Sequence, residues 1–120
     1  MKKKLLLILS VGALITATLL PAHARAEAAP QRIEITAKRF EYSTKEITVK
    51  KGQPVVIVLK SMDVAHGLRF RDLNVQVKVS AGGTAEVQFT PQTTGDFVGH
   101  CFVFCGPGHG TMALTMHVVD

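Results

Sequence analysis

The chain has 120 residues, with fourteen Lys and Arg against nine Asp and Glu and a formal net charge of +5. Lys2, Lys3, Lys4 and Arg25 all precede the first acidic residue, Glu27, so the chain from Glu27 onward carries ten basic and nine acidic side chains, a net of +1. That balance gives no electrostatic case for nucleic acid or an anionic membrane as partner.

Taken in order, Lys2-Lys3-Lys4 is a positive start, residues 5–20 are an apolar run, and Ala22-His23-Ala24 and Ala24-Arg25-Ala26 offer small-residue cleavage sites. This is the pattern of a secretory signal peptide over residues 1–26. The apolar run falls short of the roughly twenty residues of a membrane-spanning helix, which argues for cleavage over a retained anchor. No cysteine lies near it to carry a lipid. The expected location is the periplasm or the outer face of a cell. Residues 27–31 read as an Ala/Pro linker, and residues 32–120 as a single domain with a modest core.

From there the apolar pattern has period two. Ile33 and Ile35, then Ile47 and Val49, alternate with polar neighbours, and Lys51-Gly52-Gln53-Pro54 turns the chain. Residues 55–59 are continuously apolar and rich in β-branched side chains, which predicts a strand covered on both faces. Val75, Val77 and Val79 alternate again; Ala81-Gly82-Gly83 turns into Ala85, Val87 and Phe89. After the turn at residues 91–95 comes a strand over residues 96–101, and residues 112–119 close the domain with Leu114, Met116 and Val118 on one face. No stretch in this region has helical period over helical length. Seven or eight short strands with regular turns predict an all-β Greek-key sandwich or barrel.

The chemistry sits in Cys101-Phe102-Val103-Phe104-Cys105-Gly106-Pro107-Gly108-His109-Gly110-Thr111-Met112, which holds both cysteines of the chain. A Cys-x3-Cys pair by itself in an exported protein reads as a disulfide or a redox pair. Soft thiolate and thioether donors beside imidazole select copper, and the thioether argues against structural zinc. A second donor lies in Ser61-Met62-Asp63-Val64-Ala65-His66-Gly67, because a Greek key brings remote loops to one end of the sandwich. Asp63 either orients His66 or makes a local turn. His100 points away from Cys101 by strand alternation, His117 reads as a strand-surface residue, and Met62 and Met116 read as packing. Of Phe102 and Phe104, one is expected under the loop and one exposed as an apolar rim.

Cys101-x3-Cys105-Gly106-x-Gly108-His109-x2-Met112, preceded by Asp63-Val64-x-His66, resembles the binuclear CuA domain. That is the cupredoxin module of cytochrome c oxidase subunit II, found also in nitrous oxide reductase. The resemblance runs from about Ile33 to Val119 and includes Gly52-Gln53-Pro54-Val55 and Gly95-Asp96-Phe97-Val98-Gly99. It implies a cupredoxin-like Greek-key fold and two copper ions per chain. Cys101 and Cys105 would bridge them, His66 and His109 would each bind one, and Met112 and the Val103 carbonyl would be the weak ligands. Val103 stands where relatives often carry Glu or Gln, and the aromatic stretch bearing Trp in the oxidase is reduced here to Phe40 and Tyr42.

The function this implies is a soluble, exported one-electron carrier, acting as a monomer between redox proteins such as a c-type cytochrome or a small copper protein. Near-neutral charge predicts docking with mild salt dependence. The alternatives are a copper carrier or metallochaperone for oxidase assembly, and a mononuclear copper site that would leave one cysteine spare. With no paired carboxylates, nucleophile–base pair or phosphate loop in the sequence, an enzyme is not expected.

Overall fold

The computed structural model describes residues 12–18 and 29–120. The signal-peptide reading falls largely outside the described residues; residues 12–18 form neither helix nor strand. Among the described residues no helix is long and apolar enough to cross a membrane.

Among the described residues nine strands build two mixed sheets: β1 (Gln31–Lys38), β2 (Glu41–Tyr42), β3 (Glu46–Lys50), β4 (Val55–Ser61), β5 (His66–Phe70), β6 (Val75–Val79), β7 (Thr84–Phe89), β8 (Gly95–His100) and β9 (Ala113–Val119). One sheet has the order β2-β1-β4-β7 and the other β3-β9-β8-β5-β6. The β1–β4 and β3–β9 pairs are parallel, and the other pairs are antiparallel. The expected all-β sandwich is therefore what forms, with β1 opening on the last residue of the expected linker.

Alternation explains most of it. Ile47 and Val49 on β3, the three valines of β6, and Leu114, Met116 and Val118 on β9 turn inward, while their neighbours face outward. Strand β4 lies between β1 and β7 with Val55, Ile57, Val58 and Leu59 buried, as its continuous apolar run predicts. The two sheets close on Ile35, Ile57, Leu59, Leu68, Phe70, Leu114 and Met116. Each such side chain contributes roughly 1.5–3 kcal/mol of transfer free energy when withdrawn from water.

Two strands depart from the sequence pattern. β2 is only two residues long, and β5 has no polar face: four of its five residues are buried. Gly67 is covered because the Phe102 ring lies directly on it; a Cβ there would come within 2.6 Å of Phe102 Cε1. Arg69 in turn stacks its guanidinium over that ring, 5.2 Å from the centroid. β5 lies beside β8 in antiparallel register, with Arg69 opposite His100. The start of β5 and the end of β8 consequently meet at one end of the sandwich, carrying His66 and Cys101 there together.

Candidate metal centre

Loop 101–112 leaves β8 and returns into β9. Its base is closed by the Cys101 amide donating to the Met112 carbonyl at 3.1 Å, which extends the β8–β9 pairing by one step. Inside the loop, Gly106 adopts φ +136°, a conformation costly for any side chain, and lets the chain fold back after Cys105. A single turn of 3-10 helix at His109–Thr111 follows, held by His109 N–H to Gly106 O (3.1 Å) and Thr111 N–H to Gly108 O (3.2 Å). The arch thus returns His109 toward Cys105, and the His109 Nδ1 lies 3.7 Å from Cys105 Sγ.

The inner end of the site is His66, Cys101 and Cys105. A ring nitrogen of His66 and the two sulfurs all lie within 4.8 Å of one another, and all three residues are buried. Both cysteines are free thiols. The Cys101 thiol donates to the Val103 carbonyl at 3.2 Å. His109 stands outside the three-way cluster and meets it through Cys105, while Met112 is buried at the closing end of the loop, 1% exposed.

His66 has the most informative environment. It is 0% exposed, and its Nε2 is 2.6 Å from Asp63 Oδ1. Its other nitrogen, Nδ1, is buried with no hydrogen-bond partner. A carboxylate accepts and cannot donate, so it holds the proton on Nε2 and leaves Nδ1 with a bare lone pair. A buried acceptor without a partner ordinarily costs about 1–3 kcal/mol. Beside two thiols, that lone pair, the soft sulfurs and a facing imidazole form a donor set that fits copper.

Asp63 is itself fixed from two sides. Its Oδ2 accepts the Arg39 amide at 2.8 Å, and its Oδ1 accepts the Val64 amide at 2.7 Å. The Arg39 amide, with help from His66 and the Val64 amide, lowers its pKa from the usual 3.8 to about 2, so it stays ionised. Burial, with the neighbouring Cys101 thiol second, pushes the Cys105 pKa up. Burial also raises Tyr42, with the charge of Cys101 the next cause; its hydroxyl donates to the Gly67 carbonyl at 2.5 Å. Without a cation the surroundings disfavour the Cys105 thiolate, and a bound cation would reverse that preference.

Residues flanking the site fall as follows. Asp63 does both of the things its position suggested, orienting His66 and holding the turn before β5. Phe102 is half-buried on Gly67, and Phe104 is 78% exposed, with its ring 5.8 Å from that of His109. His100 and Met62 are exposed, Met116 is in the core, and His117 lies on β9 between Asp96 and Glu46. Arg39 is a residue that sequence reasoning missed. Its Nε donates to the Cys105 carbonyl at 3.1 Å, a contact across the fold that no local pattern records.

Residues 10–113 match the family described as Cupredoxin-like domain. The chain belongs to that family. This cupredoxin is 31% identical over 102 residues to cytochrome c oxidase subunit 2 of Thermus thermophilus, covering 83% of this chain and 76% of that one. It is 31% identical over 90 residues to nitrous-oxide reductase of Cupriavidus necator, covering 72% of this chain but only 14% of the reductase. Among solved structures, the periplasmic domain of subunit II of cytochrome oxidase (CoxB) of Bradyrhizobium japonicum superposes with a TM-score of 0.70 at 21% identity. That comparison covers 77% of this cupredoxin and 86% of the CoxB domain, and it establishes the shared fold. The resemblance drawn from the loop and from Asp63-Val64-Ala65-His66 is thus matched by relatives of the same two kinds.

Proposed function

We propose that this cupredoxin is an exported one-electron carrier built around a binuclear, dithiolate-bridged copper centre. The observation that carries the reading is His66: a fully buried imidazole, pinned by Asp63 at Nε2 and unpartnered at Nδ1, that lies in a cluster with two free thiols. Cys101 and Cys105 would bridge two copper ions, His66 and His109 would bind one each, and the Met112 thioether and Val103 carbonyl would be the weak ligands. When bound, the pair would supply one-electron chemistry, with a single charge shared between two metals.

The protein's own part is to keep the donors still. Asp63 keeps the proton off Nδ1 of His66, and the amides of Arg39 and Val64 keep Asp63 in place. The closed base of the loop holds Cys101 beside Met112, and burial of both cysteines and of His66 keeps water away. A site that moves little on gaining or losing an electron suits a carrier, and its six donors leave no open position for substrate. Exposed Phe104, with Val64 and Ala65 beside it, offers an apolar edge to a c-type cytochrome or a small copper protein. Residues 1–26 would direct export, residues 27–31 would link, and residues 32–120 would be the working domain.

The test is to load the domain with copper, count metal per chain and record its EPR spectrum. One electron shared by two equivalent copper nuclei gives seven hyperfine lines, whereas a localised Cu(II) gives four. Two coppers and seven lines are expected. Four lines would replace the reading by a mononuclear site, and ready loss to a mild chelator would replace it by a copper carrier.

A further inference from the structure

The candidate donors come from two separate loops, 62–66 and 101–112, and a dithiolate site works only if the two are held in one register. The β8–β5 pairing brings their bases together, at Arg69 and His100. Beyond that pairing the two segments meet where the Phe102 ring lies on Gly67, and a further restraint comes from outside both. The corner between β1 and β2 touches both.

Arg39 meets the first loop with its backbone and the second with its side chain. Its amide donates to Asp63 Oδ2 at 2.8 Å, and the other oxygen of Asp63 holds His66. Its Nε donates to the Cys105 carbonyl at 3.1 Å. Among the described residues the Arg39 guanidinium forms no ion pair, so the bond to Cys105 is the side chain's assigned polar contact. A charge-assisted donor aimed at one carbonyl is a directional restraint.

Phe40, the next residue, covers the arch. A Cβ on Gly106 would stand 2.9 Å from Phe40 Cε1, and one on Gly108 2.5 Å from Phe40 Cγ. The ring therefore lies against the backbone that joins Cys105 to His109, at a distance only glycine allows. Gly108 has φ −90°, a backbone open to any residue, so close approach of this ring is the reason for glycine there. The corner is itself anchored: Ala37 pairs with Ser61 in the β1–β4 ladder, and its carbonyl accepts the Met62 amide at 2.9 Å.

We propose that Arg39 and Phe40 are positioning residues of the copper centre, a clamp that locks the His66 loop and the Cys105–His109 arch into one geometry. The inference rests on the copper reading above. It assigns to a two-residue corner the task of holding the donor atoms while the metal charge changes, a task separate from ligation.

The experiment uses the copper-loaded full chain and four variants: Arg39→Ala, Arg39→Lys, Phe40→Leu and Phe40→Tyr. The Arg39 variants keep the backbone bond to Asp63 and alter only the reach to Cys105. Three quantities are read: copper release to a chelator, the copper hyperfine splitting, and the melting temperature of the metal-free protein. Arg39→Ala, Arg39→Lys and Phe40→Leu should each release copper about tenfold faster and change the splitting, the effect expected when support behind a ligand is lost. Phe40→Tyr, which keeps the ring, should restore both. The metal-free melting temperature should fall by no more than about 8 °C, the shift of a single lost contact, and out of proportion to the change in release rate. Release and splitting unchanged in the Arg39 and Phe40→Leu variants would overturn the clamp, as would changes that simply track a fallen melting temperature. A four-line wild-type spectrum removes the binuclear reading alone, and the release rates still decide the clamp; a wild-type chain that binds no copper removes both.

Discussion

Replacing Asp63 by Asn separates the job of orienting His66 from the shape of the side chain that does it. Asp63 accepts three hydrogen bonds, from the Arg39 amide, the Val64 amide and His66. Asn offers one acceptor oxygen and one NH2 group, so it cannot reproduce that set. If its oxygen stays on His66 and Val64, the NH2 faces the Arg39 amide, donor against donor. If it flips, the NH2 donates to Nε2 of His66, the ring proton moves to Nδ1, and the free lone pair on Nδ1 is lost. Either way one charge-assisted bond disappears. Such bonds contribute about 1.5–3 kcal/mol when well shielded, and the low end applies because Asp63 is partly exposed. The metal-free domain should therefore lose about 1–2 kcal/mol, a fall in melting temperature of roughly 4–16 °C at this size. Copper affinity should fall further, about 10–100-fold, because loss of a carboxylate behind a ligating imidazole costs that much. Melting of the metal-free protein and copper competition against a chelator of known affinity measure the two separately. Copper affinity within about twofold of wild type would refute the argument that Asp63 sets the donor state of His66.

Three further outcomes follow from individual contacts. Cys101→Ser should abolish a seven-line copper spectrum, since a binuclear bridge needs both sulfurs; retention of wild-type colour and spectrum would point to a mononuclear site on Cys105. Gly99→Ala should destabilise the domain by about 1–3 kcal/mol, because its Cβ would stand 2.7 Å from Leu68 Cδ1 and 2.7 Å from Phe70 Cε1 in a closed core; a melting temperature equal to wild type would show that this layer has room to yield. His117→Gln should remove a pH dependence from the stability of the metal-free protein. The hydrogen bond to Asp96, then that to Glu46, raises the His117 pKa above 6.5, so its contribution is full below 6.5 and is lost as pH climbs through the raised value. The gap in melting temperature between wild type and variant should accordingly close from pH 6 to pH 9, and a constant gap would contradict the assignment.

Much of the fold is legible in the chain because most strands show water one face. Ile47 and Val49, Val75 to Val79 in steps of two, and Leu114 to Val118 in steps of two each declare their side by alternation, and burial agrees at every one. Strand β5 escapes the same test for a physical reason. His66-Gly67-Leu68-Arg69-Phe70 alternates nothing, since Gly67 has no side chain to classify and owes its burial to Phe102, which arrives from the other ligand loop. A strand whose outer face is covered by a remote residue carries no local period to find.

The candidate donors stand out in the sequence for a related reason. Cys101, Cys105, His109 and Met112 lie close in sequence, so their spacing survives unfolding, and His66 follows Asp63 by the three residues that bring carboxylate and imidazole together across a turn. What the spacing leaves out is the support behind the donors. Arg39 carries no local signal and Phe40 only that of a reduced aromatic stretch, whereas their partners Asp63, Cys105, Gly106 and Gly108 are all met through the fold. Ligation needs particular atoms and so leaves a sequence signature. Positioning needs only a firm neighbour at the right place, which many residue types at many positions can provide. The comparison of Arg39→Ala with Asp63→Asn therefore weighs two kinds of support for the same site. The first alters how tightly the arch is held, and the second alters which nitrogen of His66 can bind at all.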